Sequence, residues 1–491
     1  MELLDKNVFS SINKTDSLKK YPVKVLQVGD GNFIRSFIDW MFYVVNNKTD
    51  FHGKVATVQA LPEDRTTPKL NAQDGLFTLL LKGKVNGETI EEKHIVDSID
   101  KGINPYTEWQ ELLKLVEEEQ VEFLFSNTTE AGISYSPEDY SSDQSPISYP
   151  GKITALLYHR YLHFNGDIQK GFIIVPCELI ENNGDELKRI SLQIADDWKL
   201  PNGFVQWLEY ACVFCNTLVD RIVPGYPRND VEQIHRDLGY RDDLLTVAEP
   251  YHLFIIEGPE YVASKLPFKE AGLNVKFDKI APYRELKVKF LNGGHTMLAP
   301  IGILSGVDIV REGMKDPTIF SFIDNALREE VAVTMRQDIK NESNDYIEQI
   351  YDRFANPFLN HKLTDISLNS YSKFKSRVWP SLYAYRKRFG QSPKRLIFSF
   401  ASLLYFFKGV CTNANYKIID DEHTIEKFKD FYTKFDGSKV ELIDFITKIV
   451  QEDFLNSDED MKEMYEEIAD NFLLINQEGM NSAINKLEGR G

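Results

Sequence analysis

Four cysteines in 491 residues are too few for a disulfide framework. The one close pair, Cys212-x-x-Cys215, has neither a second pair nor a neighbouring histidine to complete a four-ligand zinc site. Two buried, reduced thiols are the expectation, and no metal is expected. Runs of about 18 apolar residues are also missing, and the first twenty residues are polar and of mixed charge, so no membrane partner is expected and the protein is assigned to the cytoplasm. Basic residues are in deficit. With 57 Lys and Arg against 75 Asp and Glu, the formal charge is -18, which repels phosphate backbones and argues against a nucleic-acid partner. The same field does nothing to attract a small anion, so a site for one must carry its own cations. Repeats and low-complexity linkers are lacking too, and nothing specifies an oligomeric state.

What is present is core material. A hydrophobic fraction of 42% and an aromatic fraction of 12% are those of a globular protein, and the length calls for two or more domains. VKVLQV (Val23–Val28) is a short apolar run ending at Gly29, and Phe33, Phe37, Trp40, Met41, Val44 and Val45 then recur at helical spacing. Further strand-like runs at 54–61, 123–125 and 172–175 alternate with helical patterns such as 108–119, which predicts a mainly parallel sheet covered by helices. Past about Pro282 the period changes to long helical patterns at 284–304, 317–338, 393–410, 424–435 and 439–450. The expected fold class is therefore α/β, with a Rossmann-like domain over 1–280 and a mainly α-helical domain over 281–491.

Two segments at the sheet's carboxyl edge carry the cofactor expectation. Val28-Gly29-Asp30-Gly31-Asn32-Phe33 sits where a strand feeds a helix, and its glycines allow a tight turn and close approach of a pyrophosphate to backbone N–H groups. Ile34 replaces the third glycine of the usual fingerprint. Ser126-Asn127-Thr128-Thr129-Glu130 follows the FLF strand and groups hydroxyl, amide and carboxylate side chains at the same edge. The second strand ends in Gln59-Ala60-Leu61-Pro62, with Glu63, Asp64 and Arg65 after it, so the residues that usually separate NAD from NADP leave both open.

The stretch 285–305, ELKVKFLNGGHTMLAPIGILS, places Lys287, Asn292 and His295 in an otherwise apolar helix, where polar groups need partners or a function. At ~100° per residue Asn292 lies about 140° and His295 about 80° from Lys287, one wedge of the helix, while Lys289 lies about 60° from Asn292 and fits equally well. Reduction of a ketone by hydride creates an alkoxide that needs a proton and hydrogen-bond donors, which Lys, Asn and His supply. In the oxidative direction the lysine must first shed its proton, which apolar surroundings favour.

The spacing of Lys287, Asn292 and His295, together with LQVGDGNFIRSF at 26–37, resembles the polyol-specific long-chain dehydrogenases, the mannitol dehydrogenase family. Within it, FSNTTEAGISY (125–135), PCELIENNGDEL (176–187), CNTLVDRIVPGYPR (215–228) and LNGGHTMLAPIGILSG (291–306) are most similar to members that act on sugar acids. The resemblance implies a metal-independent, NAD-linked oxidoreductase whose partner is a small hexuronate or aldonate. By the same resemblance Lys287 is the acid/base, Asn183 and Asn292 are amide donors to the developing oxyanion, His295 orients a substrate hydroxyl, and Asp220 bonds substrate or positions the lysine. Glu178-Leu179 departs from the Asp-Asn of mannitol dehydrogenases, so no amide is assigned there. A carboxylate substrate calls for cations. His361, Lys362, Lys373, Lys375 and Arg377 form a local basic excess, with Lys373, Arg377 and His361 the expected substrate-binding residues.

Overall fold

Successive residues of Val23–Val28 point to opposite faces, and both faces are apolar. Val25 packs among Phe37, Met41, Phe42 and Phe125, while Leu26 and Val28 pack among Leu112, Val116, Leu156 and Ile174. A strand buried on both sides belongs inside a parallel sheet. In the computed structural model, which describes residues 1–13, 18–63, 65–129, 131–337, 339–412, 414–455 and 461–490, this strand is the centre of one. We number its strands β1 (Val23–Val28), β2 (Lys54–Val58), β3 (Ile99–Ile103), β4 (Phe123–Ser126), β5 (Ile173–Pro176) and β6 (Val213–Phe214). They run parallel in the order β3-β2-β1-β4-β5-β6.

The order reverses between β1 and β4, and in open sheets of this kind the crevice outside the strand ends at that reversal is where ligands bind. Register fixes which loops share it. Val28 pairs with Val58 and with Ser126, and Ser126 pairs with Pro176, so the turns after β1, β2, β4 and β5 emerge together. Two three-stranded sheets accompany this one. In one, Phe77–Val85 and Glu88–Val96 form a hairpin whose turn residues Asn86 and Gly87 both have positive φ, the geometry of a tight hairpin turn. In the other, Asn216–Asp220 runs antiparallel to Leu253–Glu257 and ends on Asp220.

The chain divides into two compact units, one of Met1–Lys82 with Ile90–Ile280, the other of Gly83–Thr89 with everything from Ala281 onward. The second unit is helical. Ile280–Leu286, a π-turn at Lys287–Asn292 and Gly293–Leu304 run on as a single helix. Gly293–Leu304 is apolar nearly all round, and accordingly it is enclosed, by Pro317–Asn325, Leu363–Ile366, Ser370–Arg377 and Lys394–Phe407. The helical patterns read at 393–410, 424–435 and 439–450 correspond to Lys394–Phe407, Glu422–Lys434 and Lys439–Ile449.

A buried ionic knot fastens the end of this unit. The Arg395 guanidinium donates to both carboxylate oxygens of Glu488 (2.5 and 2.9 Å) and to Glu329 (2.6 Å), and the Glu330 carboxylate accepts the N–H groups of Arg395 and Leu396 at the start of Lys394–Phe407. Side chains of Arg395, Glu330 and Glu488 are all about 5% exposed or less. Removing the cation strands two buried carboxylates, so Arg395→Ala is expected to lower stability by about 3–5 kcal/mol in denaturant titration. A loss below about 1 kcal/mol would show that the knot is held by other means.

Candidate active site

The turn after β1 is built by close approach. Gly29 has φ +105°, and a Cβ there would stand 2.7 Å from the Asn127 carbonyl oxygen, so both its conformation and its contact demand glycine. Gly31 is the reverse case, because a Cβ on it would meet nothing within 4 Å. That open side, with exposed Asn32 beside it and a continuous helical run over 32–48 behind it, fits a dinucleotide's phosphates. Not every residue expected to touch a cofactor faces outward. Val28 and Asp30 are buried, and the Asp30 carboxylate accepts from Thr67 Oγ1 at 2.9 Å, so both shape the turn instead of lining it. Phe33 stacks on Phe37 at 5.2 Å.

The loop after β4 needs a similar correction. Ser126 Oγ donates to Glu178 (3.0 Å), the N–H and hydroxyl of Thr128 donate to the other oxygen of the same carboxylate (2.9 and 3.0 Å), and the Asn127 amide donates to the Cys177 carbonyl (2.9 Å). These side chains fix the loop and are spent in doing so. Thr129 is exposed and holds φ +126°, a strained conformation for a residue with a side chain, at the sheet edge where such strain collects. Glu130 and Asp64 lie outside the described residues. Glu178 was assigned nothing from sequence, yet it organises the loop. Burial raises its carboxyl above the usual range, opposed by the hydrogen bonds it accepts.

Asn183 begins the helix Asn183–Asp197 and is fully buried. Its amide nitrogen lies within hydrogen-bond distance of the Pro176 and Glu178 carbonyls and the Thr217 hydroxyl (3.1, 3.0 and 2.9 Å), and its oxygen accepts from the Thr217 and Gly184 N–H groups. Two hydrogens face three acceptors, so donation to a ligand means releasing one of them. Asp220 is buried at the end of its strand.

In the second unit the π-turn changes the helix reading. Its hydrogen bonds close five residues back, so positions i and i+5 come to the same side. Lys287 and Asn292 are five apart and bound this turn, and the angle computed for a plain α-helix is replaced by a closer alignment. Lys289 is paired with Glu285 at 2.7 Å on the same helix. Among the described residues the Asn292 carboxamide and the His295 imidazole have no hydrogen-bond partner. The plain structural alternative, in which both bond to backbone, is not what the helix does.

Gly293 and Gly294 let neighbours come close. A Cβ on Gly293 would lie 3.4 Å from the Arg377 carbonyl, and one on Gly294 3.6 Å from the Phe354 ring. Phe354 in turn stacks on His295 at 4.1 Å, and His361 meets it edge-on at 5.1 Å. Burial, then the charges of His361, Arg353, Arg377 and Lys373, hold the His295 imidazole well below its ordinary range, so it is neutral at physiological pH. Three cations, Arg353, Arg377 and Lys373, thus act on one imidazole, together with His361, whose own imidazole burial holds below its ordinary range. Lys362 and Lys375, grouped with them in sequence, are exposed, whereas Arg353, overlooked among helical residues, is buried in the shell.

Residues 23–270 match the mannitol dehydrogenase Rossmann domain, and residues 279–479 match the mannitol dehydrogenase C-terminal domain. The chain belongs to the mannitol dehydrogenase family. Altronate oxidoreductase of Bacillus subtilis (strain 168) is 42% identical over 443 residues, covering 90% of this chain and 89% of the relative. Altronate oxidoreductase of Shigella flexneri is 39% identical, covering 95% and 97%. In fold, the chain resembles D-sorbitol dehydrogenase in substrate-free form (TM-score 0.80, 19% identity, 98% and 100% covered) and Pseudomonas fluorescens mannitol 2-dehydrogenase in ternary complex with NAD and D-mannitol (TM-score 0.65, 20% identity, 100% of both). The sheet order and the glycine turn of this family member agree with a nicotinamide dinucleotide as cofactor. No helix among the described residues is long and apolar enough to cross a membrane.

One buried acid braces the turn. The Asp39 carboxylate accepts from Gln27 Nε2 (3.0 Å), which also reaches the Gly29 carbonyl (3.1 Å), while Asp39 Oδ1 and Gln27 Oε1 are both buried without a partner. Burial pushes Asp39 up to about 8, and a proton on it supplies a donor where both oxygens lack one. An acid protonated in the fold and ionised in the unfolded chain takes up a proton on folding, so its contribution is full below the ordinary carboxylate range and is lost as pH rises through about 8. Asp39→Asn is expected to flatten the fall of the thermal midpoint between about pH 5 and pH 8. An unchanged slope would mean that Asp39 does not carry this proton.

Proposed function

We propose that this chain is an NAD-linked oxidoreductase that interconverts D-tagaturonate and D-altronate, serving hexuronate breakdown. The observation that carries the reading is the unpaired Asn292 and neutral His295 on a π-turned helix within a shell of cations. Donors without protein partners are ready for a ligand, and in a chain of charge -18 a local excess of Arg353, His361, Lys373 and Arg377 suits a substrate carboxylate. A neutral polyol has less use for such a shell. The altronate oxidoreductase relatives support the same substrate class.

The chemistry divides between the units. The first holds the dinucleotide, which when bound and reduced supplies the hydride. As hydride adds to the carbonyl carbon, the bonding pair moves onto oxygen, where the Asn292 amide donates a hydrogen bond and the Lys287 ammonium delivers the proton. In the reverse direction neutral Lys287 takes the hydroxyl proton as hydride departs. His295, neutral, offers a hydrogen bond to a substrate hydroxyl, and Lys373, Arg377 and His361 hold the carboxylate. For Asn183 and Asp220, both in the first unit, the family resemblance supports the roles of second amide donor and of a carboxylate that bonds substrate or positions the lysine. Proton and charge are both provided for by side chains, so the step calls on no metal.

The test is NADH oxidation by purified protein offered D-tagaturonate, D-fructuronate and D-fructose. Oxidation fastest with tagaturonate is the expected result. Preference for fructuronate would overturn the substrate while keeping the reaction, and no oxidation with any of the three would overturn the enzyme. Lys287→Ala is expected to lower kcat by about 10²–10⁴-fold with NADH affinity kept, the signature of a lost acid/base.

A further inference from the structure

A cavity of about 650 Å³ opens beside the Gly29–Gly31 turn, entirely within the first unit, and is lined by Gly31, Asn32, Thr66, Lys69 and Arg228 among others. Two separate devices bring its cations there. Thr67, one residue into the helix Thr66–Ala72, donates to buried Asp30 of the turn, which fixes the helix that carries Lys69. Gly225, with φ +82°, lies so close to Asn32 that a Cβ would stand 2.8 Å from its amide nitrogen, and the loop it permits carries Arg228 three residues on. Both cations are exposed, and among the described residues neither the Lys69 ammonium nor the Arg228 guanidinium has a hydrogen bond or ion pair.

We propose that Lys69 and Arg228 form a phosphate subsite for the dinucleotide at the mouth of the cofactor site. The inference rests on the oxidoreductase reading, because it takes the cavity's ligand to be the cofactor. Arg35, which also lines the cavity, has its guanidinium on the Asp30 and Leu244 carbonyls and the Asn32 side chain, so it adds a fixed positive charge to the wall while those donors are taken up. At the end of β2 Gln59 is buried with its amide on the Leu61 and Pro62 carbonyls, and Glu63 beyond it is exposed. A phosphoryl oxygen at the cavity meets these two cations and the free side of Gly31, and the one carboxylate named in the lining, Asp243, is paired with Arg241 at 3.1 Å. The group is either the pyrophosphate common to both dinucleotides or the 2'-phosphate of NADP.

The experiment measures dissociation constants for NADH, NADPH and phosphate-free adenosine by fluorescence and calorimetry on the full chain and on Lys69→Gln, Arg228→Gln and the double variant. The double variant is expected to bind a dinucleotide about 10–100-fold more weakly, the loss of charge-assisted hydrogen bonds, with adenosine unaffected. Equal weakening for NADH and NADPH assigns the pyrophosphate, and weakening for NADPH alone assigns the 2'-phosphate. Unchanged constants for both in the double variant, with tight binding to the parent protein, would overturn the subsite and leave the oxidoreductase reading intact. A parent protein that binds neither dinucleotide would overturn both.

Discussion

The second unit depends on one constraint, that a helix apolar nearly all round must be enclosed on every side. Enclosure of its apolar residues leaves the polar ones at most half-exposed, where pairing or a ligand satisfies them best. Lys289 is paired with Glu285, and Thr296 donates to the Asn292 carbonyl. Asn292 and His295 are not paired. The π-turn draws Lys287 and Asn292 to one side, and the two glycines that follow bring in Phe354 and the backbone of Arg377. The same neighbours supply the cations that keep His295 neutral. Packing, electrostatics and chemistry thus meet in about three consecutive turns of one helix.

The first unit follows a different rule, rigidity by inward-facing polar groups. Asp30, Asp39, Glu178 and Asn183 are all buried, and each ties a loop at the carboxyl edge to the sheet or to a neighbouring loop. Their work is to hold backbone in place. Gly31 and Asn32 face outward at the first of these loops, which suits a ligand bound through phosphate.

Much of this was legible in the sequence. Strand, turn and helix at 23–48 could be read because a buried run ends on Gly29 and the helical period begins at once. The change of period near Pro282 followed from helices whose apolar positions recur every three to four residues. The Phe77–Val85 hairpin was missed although Asn86-Gly87 signals one, because the buried strand before it does not alternate. At the site, Lys287, Asn292 and His295 stood out as polar residues in an apolar stretch. The choice of Lys287 over Lys289 came from the family resemblance, since helical angle alone does not separate them. Arg353, Lys69 and Arg228 went unassigned because cations on amphipathic helices and loops look like ordinary surface charge until their neighbours are known. Side chains such as Ser126 and Thr128 were legible as polar and misread in direction, since a sequence does not say that Glu178 will claim them.

The most direct test of the central claim, that a cation shell beside a neutral histidine selects a carboxylate, is the specificity of Arg377→Ala. The ratio of kcat/KM for D-tagaturonate to that for D-fructose is expected to fall about 10–100-fold, carried by a higher KM for the uronate, as a charge-assisted hydrogen bond is lost. A ratio that stays constant while both substrates lose activity together would contradict the account, because the arginine would then support the fold and not the choice of substrate.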